Sequence, residues 1–280
     1  ILTKRLRRRN TVMKKNNRKT QRVYQRENII KHGNYMSVYS FPVFESAYKR
    51  TGGRRKARAT SEVQKKYNQK LAENKLTYII NENFNENDIE MGLGFDDEYL
   101  PESYEEALKH IQNFIRRIKY YRRTHGLSEL KYVYVVQKGE RRGRWHYHMI
   151  LSGGMSRDML ERMWRMGYAH TYALYFDKQG LRGLAKYKIR PDDEVIEGKF
   201  KRWCASKNLR RPQPKERTGY ISRRTVEDIR KGNITERELE RIYPGYEISE
   251  VNTFHNPCNG GEYLEIQLYR KRDYSRRRLE

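Results

Sequence analysis

The chain has 280 residues, of which 36% are hydrophobic and 34% charged, so it can bury one large core or two small ones only if its apolar residues are well patterned. A formal charge of +26 exceeds what solubility requires and points to a polyanionic partner, nucleic acid foremost. Two cysteines without a CxxC pair argue against a disulfide framework or a structural zinc site, and with neither a ~20-residue apolar run nor a signal-type apolar segment the chain reads as cytoplasmic rather than membrane-bound.

From Ile1 to about Lys31 the chain is basic, with Arg7, Arg8, Arg9, Lys14 and Lys15 almost unrelieved by acids, and reads as an extended or partly helical arm that touches phosphates. A second basic run, Arg54 to Arg58, follows the Gly52-Gly53 pair and is equally readable as a solvated charged face. These segments form a basic N-terminal extension over 1–60, and one domain is expected over 61–280. A helix is expected to begin at Ser61 and run through SEVQKKYNQKLAENKLTYIINENF.

IEMGLGF, near residue 89, is strand-like. Ser103 with Glu106 has the S-x-x-E form of a capping box, and Leu108, Ile111, Ile115 and Ile118 recur at helical spacing up to about Arg122. KYVYVVQ (131–137) and WHYHMIL (145–151) are rich in β-branched and aromatic residues and flank the tight basic turn ERRGR, so they read as a hairpin. Ser156 is expected to cap a helix bearing Leu160, Met163 and Trp164, followed after Gly167 by the strand YAHTYALYF. A short helix, GLAKYKI, stops at Pro191. Beyond it lie the basic loop FKRWCASKNLRRPQPK, a polar helix near 225–231 and a last strand, EYLEIQLYR. Strands and helices alternate without a βαβ period, which points to α+β.

Successive side chains of a strand point to opposite faces, so His146 and His148 in WHYHMI share one face, about 7 Å apart along the strand. Two such imidazoles can hold one divalent ion and leave positions open for an oxygen donor, water and a phosphate. Taken alone, the pair is equally a polar pair on a sheet surface. Gln137, at the end of the neighbouring strand, is the favoured third ligand and Glu140 in the turn its rival. Tyr187 lies in GLAKYKIR among Lys186, Lys188 and Arg190. A phenol, with its pKa of about 10, is a weak nucleophile unless cations lower the cost of the phenolate. With 23 tyrosines in the chain, its position alone would not single it out.

The ordered series IEMGLGF, YVYVVQKGERRGRWHYHMI and GLAKYKIR resembles the three motifs of the HUH endonuclease superfamily, and more narrowly the rolling-circle replication initiators of bacterial plasmids and phages. RWCASKNLRRP is similar to the S-x-N-L-x-x-P segment that follows the tyrosine helix in such proteins. The resemblance implies an antiparallel-sheet HUH nuclease domain of ferredoxin- or RRM-like form. It implies that His146, His148 and Gln137 bind Mg²⁺ or Mn²⁺, that Tyr187 attacks the scissile phosphate, and that Arg190 assists. The implied substrate is single-stranded DNA or an origin hairpin in a bacterial host cell, with a host helicase and polymerase as further partners. DNA contacts are expected from Arg141, Arg142, Arg144, Lys186, Lys188, Lys201, Arg202, Lys207, Arg210 and Arg211. Arg190 stands where lysine is usual and Gln137 where glutamate is common, and IEMGLGF, with its two glycines, is assigned no catalytic role. A transposase or relaxase, and a nucleic-acid-binding protein without catalysis, are the alternatives.

Overall fold

The computed structural model describes residues 23–44, 62–139, 143–188, 203–257 and 260–271. The described chain opens with the hairpin β1 (Val23–His32) and β2 (Tyr35–Phe44), followed by the long helix α1 (Glu62–Asn83). Next come β3 (Ile89–Leu93), α2 (Tyr104–Thr124), β4 (Tyr132–Lys138), β5 (Trp145–Leu151), α3 (Arg157–Arg162) and β6 (Ala169–Ala173). This β-α-β-β-α-β run pairs in the order β6-β3-β5-β4, every pair antiparallel, which is the split-βαβ arrangement of ferredoxin-like sheets.

The two faces of this sheet differ because each strand alternates. Ile89, Met91 and Leu93 of β3 and Trp145, Tyr147 and Met149 of β5 are buried in one cluster with Ala107, Ile111, Phe114 and Ile118 of α2. Trp164 closes that cluster and donates its indole N–H to the Gly94 carbonyl at 2.6 Å. Ser103 caps α2 as expected by accepting from the Glu106 N–H, but the Glu106 carboxylate accepts from the Glu102 N–H, one residue before the expected reciprocal partner. Arg122, read as the end of the helix, is buried there, where it donates to the carbonyls of Ser128, Ser152 and Gly153.

On the opposite face Val133 and Ile150 pack against Leu76, Ile79 and Ile80 of α1 and Leu181 and Ala185, which lead into and form part of α4 (Arg182–Lys188). Only this half is covered by helices. The other half of the same face carries the two histidines of β5.

The remaining elements are β7 (Cys204–Ala205), which extends the nuclease-type sheet beyond β4, then β8 (Lys215–Thr218), α5 (Arg223–Arg230), α6 (Glu236–Glu240), β9 (Tyr246–Asn256) and β10 (Gly261–Arg270). A second antiparallel sheet has the order β8-β1-β2-β10-β9, with α5 and α6 packed on its apolar face through Val226, Leu239, Ile266 and Val38. This corrects the reading of residues up to Lys31 as an extended or partly helical arm, because 23–31 lie in a strand paired along its length with β2. The strand was hidden by its inward residues, which include Gln25 and Glu27 rather than hydrophobes. Glu27 is 0% exposed and accepts from Arg217 Nε at 2.8 Å, the Ile221 N–H at 2.9 Å and the Tyr243 hydroxyl at 3.3 Å, so its charge is paired where it is buried.

Helix α1 lies between the sheets, apolar toward the first and polar toward the second. Tyr78 meets the Tyr39 hydroxyl at 2.6 Å, and Lys70 pairs with Glu265 at 2.7 Å. Asn81 donates to His32 Nδ1 at 3.3 Å while its amide oxygen accepts from the Leu181 N–H at 2.8 Å, tying the β1–β2 hairpin to the start of α4. At the hairpin turn Gly33 has φ +63°, and a Cβ there would collide with the Asn81 carbonyl.

His32 is buried in this seam, and burial followed by the nearby Arg182 charge lowers its pKa from 6.5 to about 3. The unfolded chain therefore binds the extra proton first. This contribution to stability is complete above the unfolded pKa and is lost as pH falls from about 6.5 toward 3. Between pH 7 and pH 5 the expected loss is about 2 kcal/mol. Urea unfolding of the wild type and of His32→Gln at both pH values checks this: the variant is expected to lose less on acidification, and equal losses would remove His32 as the cause.

Candidate active site

His146 and His148 emerge from β5 on the face opposite its buried Trp145, Tyr147 and Met149. Their rings lean together, with centroids 5.2 Å apart and planes at 89°, closer than the strand repeat alone implies. Across the sheet His148 pairs with Gly92, which has open space where a Cβ would stand, so β3 presents no side chain to crowd the imidazole there.

Tyr187 arrives from α4. Ala185 anchors this helix in the core, and Tyr187, two residues later, points to the outside and is 53% exposed. Its ring stands 6.1 Å from that of His148, edge to face. The C-terminal end of α4 is held by Gln137, which sits opposite His146 in the β4–β5 register and donates its side-chain amide to the Lys188 carbonyl at 2.7 Å. Gln137 thus links the hairpin to the tyrosine helix through its nitrogen, and its oxygen is the atom that would meet a metal.

Lys188 takes a place different from the expected DNA contact. It is only 7% exposed, and its ammonium lies 2.7 Å from Glu90 Oε1, 2.8 Å from His148 Nδ1 and 4.8 Å above the Tyr187 ring. An ammonium has only donors, so His148 Nδ1 accepts. A cation therefore already sits where an imidazole and a carboxylate converge. Glu90 went unassigned by sequence reasoning, although the alternation of IEMGLGF puts it on the face opposite Ile89 and Met91.

Among the described residues, no group of three His, Cys, Asp or Glu side chains lies close enough to hold a metal by itself. Two imidazoles on one open face, with the Gln137 amide beside them and a positive charge already attracted to the same donors, fit a divalent ion of the kind carried by nitrogen and oxygen ligands.

Beside this site β6 contributes an aromatic strip. His170 and Tyr172 stand in register with Gly92 and Glu90, Tyr168 lies across Gly94, and the rings of Tyr168 and His170 are 5.8 Å apart. Both tyrosines are exposed.

The expected DNA contacts separate into groups. Lys186, Lys207, Arg210 and Arg211 are exposed. Arg144 is half-buried, paired with Asp97 and donating to the Phe95 carbonyl at 2.6 Å, so it braces the end of β3. Arg141, Arg142, Arg190, Lys201, Arg202 and the rival ligand Glu140 lie outside the described residues. In the S-x-N-L segment Ser206 exchanges backbone hydrogen bonds with Tyr132, Asn208 donates to the Leu130 carbonyl and Leu209 is buried, so these residues fasten the returning chain to the sheet edge.

A ferredoxin-like antiparallel sheet with two histidines on a central strand and a tyrosine helix against them is an α+β architecture compatible with an HUH-like nuclease domain. Residues 91–190, just over a third of the chain, match the family of the replication-associated protein ORF2, consistent with a rolling-circle replication initiator. That stretch begins within β3 and ends just after α4, so it contains both histidines, Gln137 and Tyr187. The match supports a role in the initiation of DNA replication. No curated protein and no solved structure matches the chain. Among the described residues no helix is long and apolar enough to cross a membrane.

Proposed function

We propose that the chain nicks and rejoins single-stranded DNA through a 5′-phosphotyrosine at Tyr187, and that this nick starts rolling-circle replication. The observation that carries the reading is the approach of the Tyr187 ring to 6.1 Å from His148, on the open face of the sheet. In the proposed step Tyr187 Oη attacks the scissile phosphorus and loses its proton. The bond from phosphorus to the 3′-oxygen breaks, that oxygen is protonated, and the phosphate stays on the tyrosine. The new linkage is again a phosphodiester, so an incoming 3′-hydroxyl can reverse the step and rejoin the strand.

Lys188, beside the Tyr187 ring, stabilises negative charge developing between phenol and phosphate. Gln137 orients α4 through the Lys188 carbonyl. Arg190, three residues beyond the nucleophile, is the proposed charge-stabilising assistant; as a guanidinium it does not transfer a proton. The aromatic strip of β6 gives unpaired bases a surface for stacking, and exposed Lys186, Lys207 and Arg210 grip phosphates independently of sequence. When bound by His146, His148 and Gln137, Mg²⁺ or Mn²⁺ supplies Lewis-acid polarisation of the scissile phosphate. The match to replication-associated proteins favours replication over the transposase and relaxase readings, which share the chemistry.

The test is to incubate the protein and Mn²⁺ with an end-labelled pool of random single-stranded oligonucleotides and look for an adduct that survives denaturing electrophoresis. Peptide mapping is expected to place the nucleotide on Tyr187; no adduct, or one on another residue, overturns the proposal.

Because its ammonium contends with a metal for His148 and Glu90, Lys188→Met is expected to tighten Mn²⁺ binding to the DNA-free protein on the order of tenfold. Titration calorimetry reads this directly, and weaker binding would show that the ammonium supports the ion's site rather than occupying it.

A further inference from the structure

The second sheet has one face covered by α5 and α6, and its other face meets α1 only in part. Along the uncovered part, between α1 and the strands β1, β2, β10 and β9, runs a groove of about 1300 Å³, closed at one side by Arg211 to Pro214. Pockets for single small molecules hold roughly 300–1,000 Å³, so this groove suits a segment of polymer better than a metabolite.

Its lining is aromatic and cationic. Phe254 and Tyr263 face each other across β9 and β10 with ring centroids 6.0 Å apart, and Tyr67 looks toward them from α1. Phe254 is 60% and Tyr67 57% exposed, an unusual state for large rings in a concave surface unless flat partners cover them. Lys70, Lys75 and Arg211 line the same groove against one carboxylate, Glu265, which Lys70 and Arg182 already neutralise. The amides of Asn74 and Asn252 lie among the rings, where they can meet base edges. Rings for stacking, cations for phosphates and amides for edges together describe a site for single-stranded nucleic acid.

We propose that this groove is a second single-strand binding site, separate from the nuclease-type sheet, which holds a stretch of the DNA that flanks the nick. Its ligand class rests on the reading of the chain as a single-strand nickase. Arg210 and Arg211 connect the two regions: Arg210 lies 4.0 Å from Glu82 near the end of α1 behind the first sheet, and its neighbour lines the groove. The groove would add affinity and set the length of strand engaged, while chemistry stays at Tyr187.

Fluorescence anisotropy with labelled oligo(dT) of 30 and of 6 nucleotides tests this on the full chain. Tyr67→Ala combined with Phe254→Ala is expected to weaken binding of the 30-mer about 10- to 100-fold, with little effect on the 6-mer and an unchanged urea midpoint, since both rings are exposed. Lys75→Ala with Arg211→Ala is expected to weaken the 30-mer and to reduce the slope of log Kd against log salt by about 0.7 for each phosphate no longer neutralised. If the wild type binds the 30-mer and both double variants bind it equally well, the groove proposal is overturned, as it would be if a protein segment occupies the groove instead. If the wild type binds neither oligonucleotide, the failure lies with the nickase reading itself.

Discussion

Tyr187→Phe is expected to abolish the covalent adduct and lower nicking of a reactive single strand on the order of 10⁴-fold or more, because it deletes the attacking oxygen and little else. The ring remains to fill the edge-to-face contact with His148 and the contact with the Lys188 ammonium, and the side chain is half exposed, so folding should be unaffected. DNA affinity should change little, since grip on phosphates comes from the basic surface. Single-turnover cleavage of an oligonucleotide recovered from the wild-type adduct pool, with electrophoresis for the adduct, measures both quantities. A variant that still forms the adduct would transfer the role to another tyrosine, with exposed Tyr168 and Tyr172 on the neighbouring strand as the first to examine.

His146→Ala with His148→Ala is expected to reduce cleavage roughly 10³-fold, equivalent to about 4 kcal/mol of transition-state stabilisation, and to remove measurable Mn²⁺ binding. The core should tolerate this change, because Trp145, Tyr147 and Met149 hold β5 from the other face. Chelation of the wild type should reproduce the loss and added Mn²⁺ should reverse it, whereas the double variant should stay inactive at any Mn²⁺ concentration. Retention of wild-type Mn²⁺ affinity by the variant would falsify the metal assignment. Binding to oligo(dT) serves as the control, and it should survive, since neither histidine is a phosphate contact in this reading.

Much of the site was legible in local pattern. The alternation of WHYHMI placed both histidines on one face, and the apolar spacing of α2 located the helix that covers the other. Glu90 was legible by the same alternation but was passed over, because two glycines made IEMGLGF look like a poor motif. Gly92 stands opposite His148, where it leaves room beside the imidazole. The second sheet was obscured for a different reason. Gln25 and Glu27 occupy inward positions of β1, and a buried carboxylate becomes intelligible only when its donors are known. Those donors, Arg217, Ile221 and Tyr243, lie about 190 or more residues away in sequence.

The sequence by itself determined the chemistry that is available: a basic chain suited to nucleic acid, two imidazoles at strand spacing, and a tyrosine in a basic helix. Periodicity and residue type are local properties, so they can be read without coordinates. Only the tertiary structure decided which of these groups meet. It brought Tyr187 to His148 through the packing of Ala185 and the Gln137 bond to Lys188, and it turned Lys188 inward between Glu90 and His148. It also joined β1 and β2 to strands at the far end of the chain and left a groove beside α1. Those outcomes depend on contacts between residues far apart in sequence, whose energies come from shape and burial, and no local pattern carries that information.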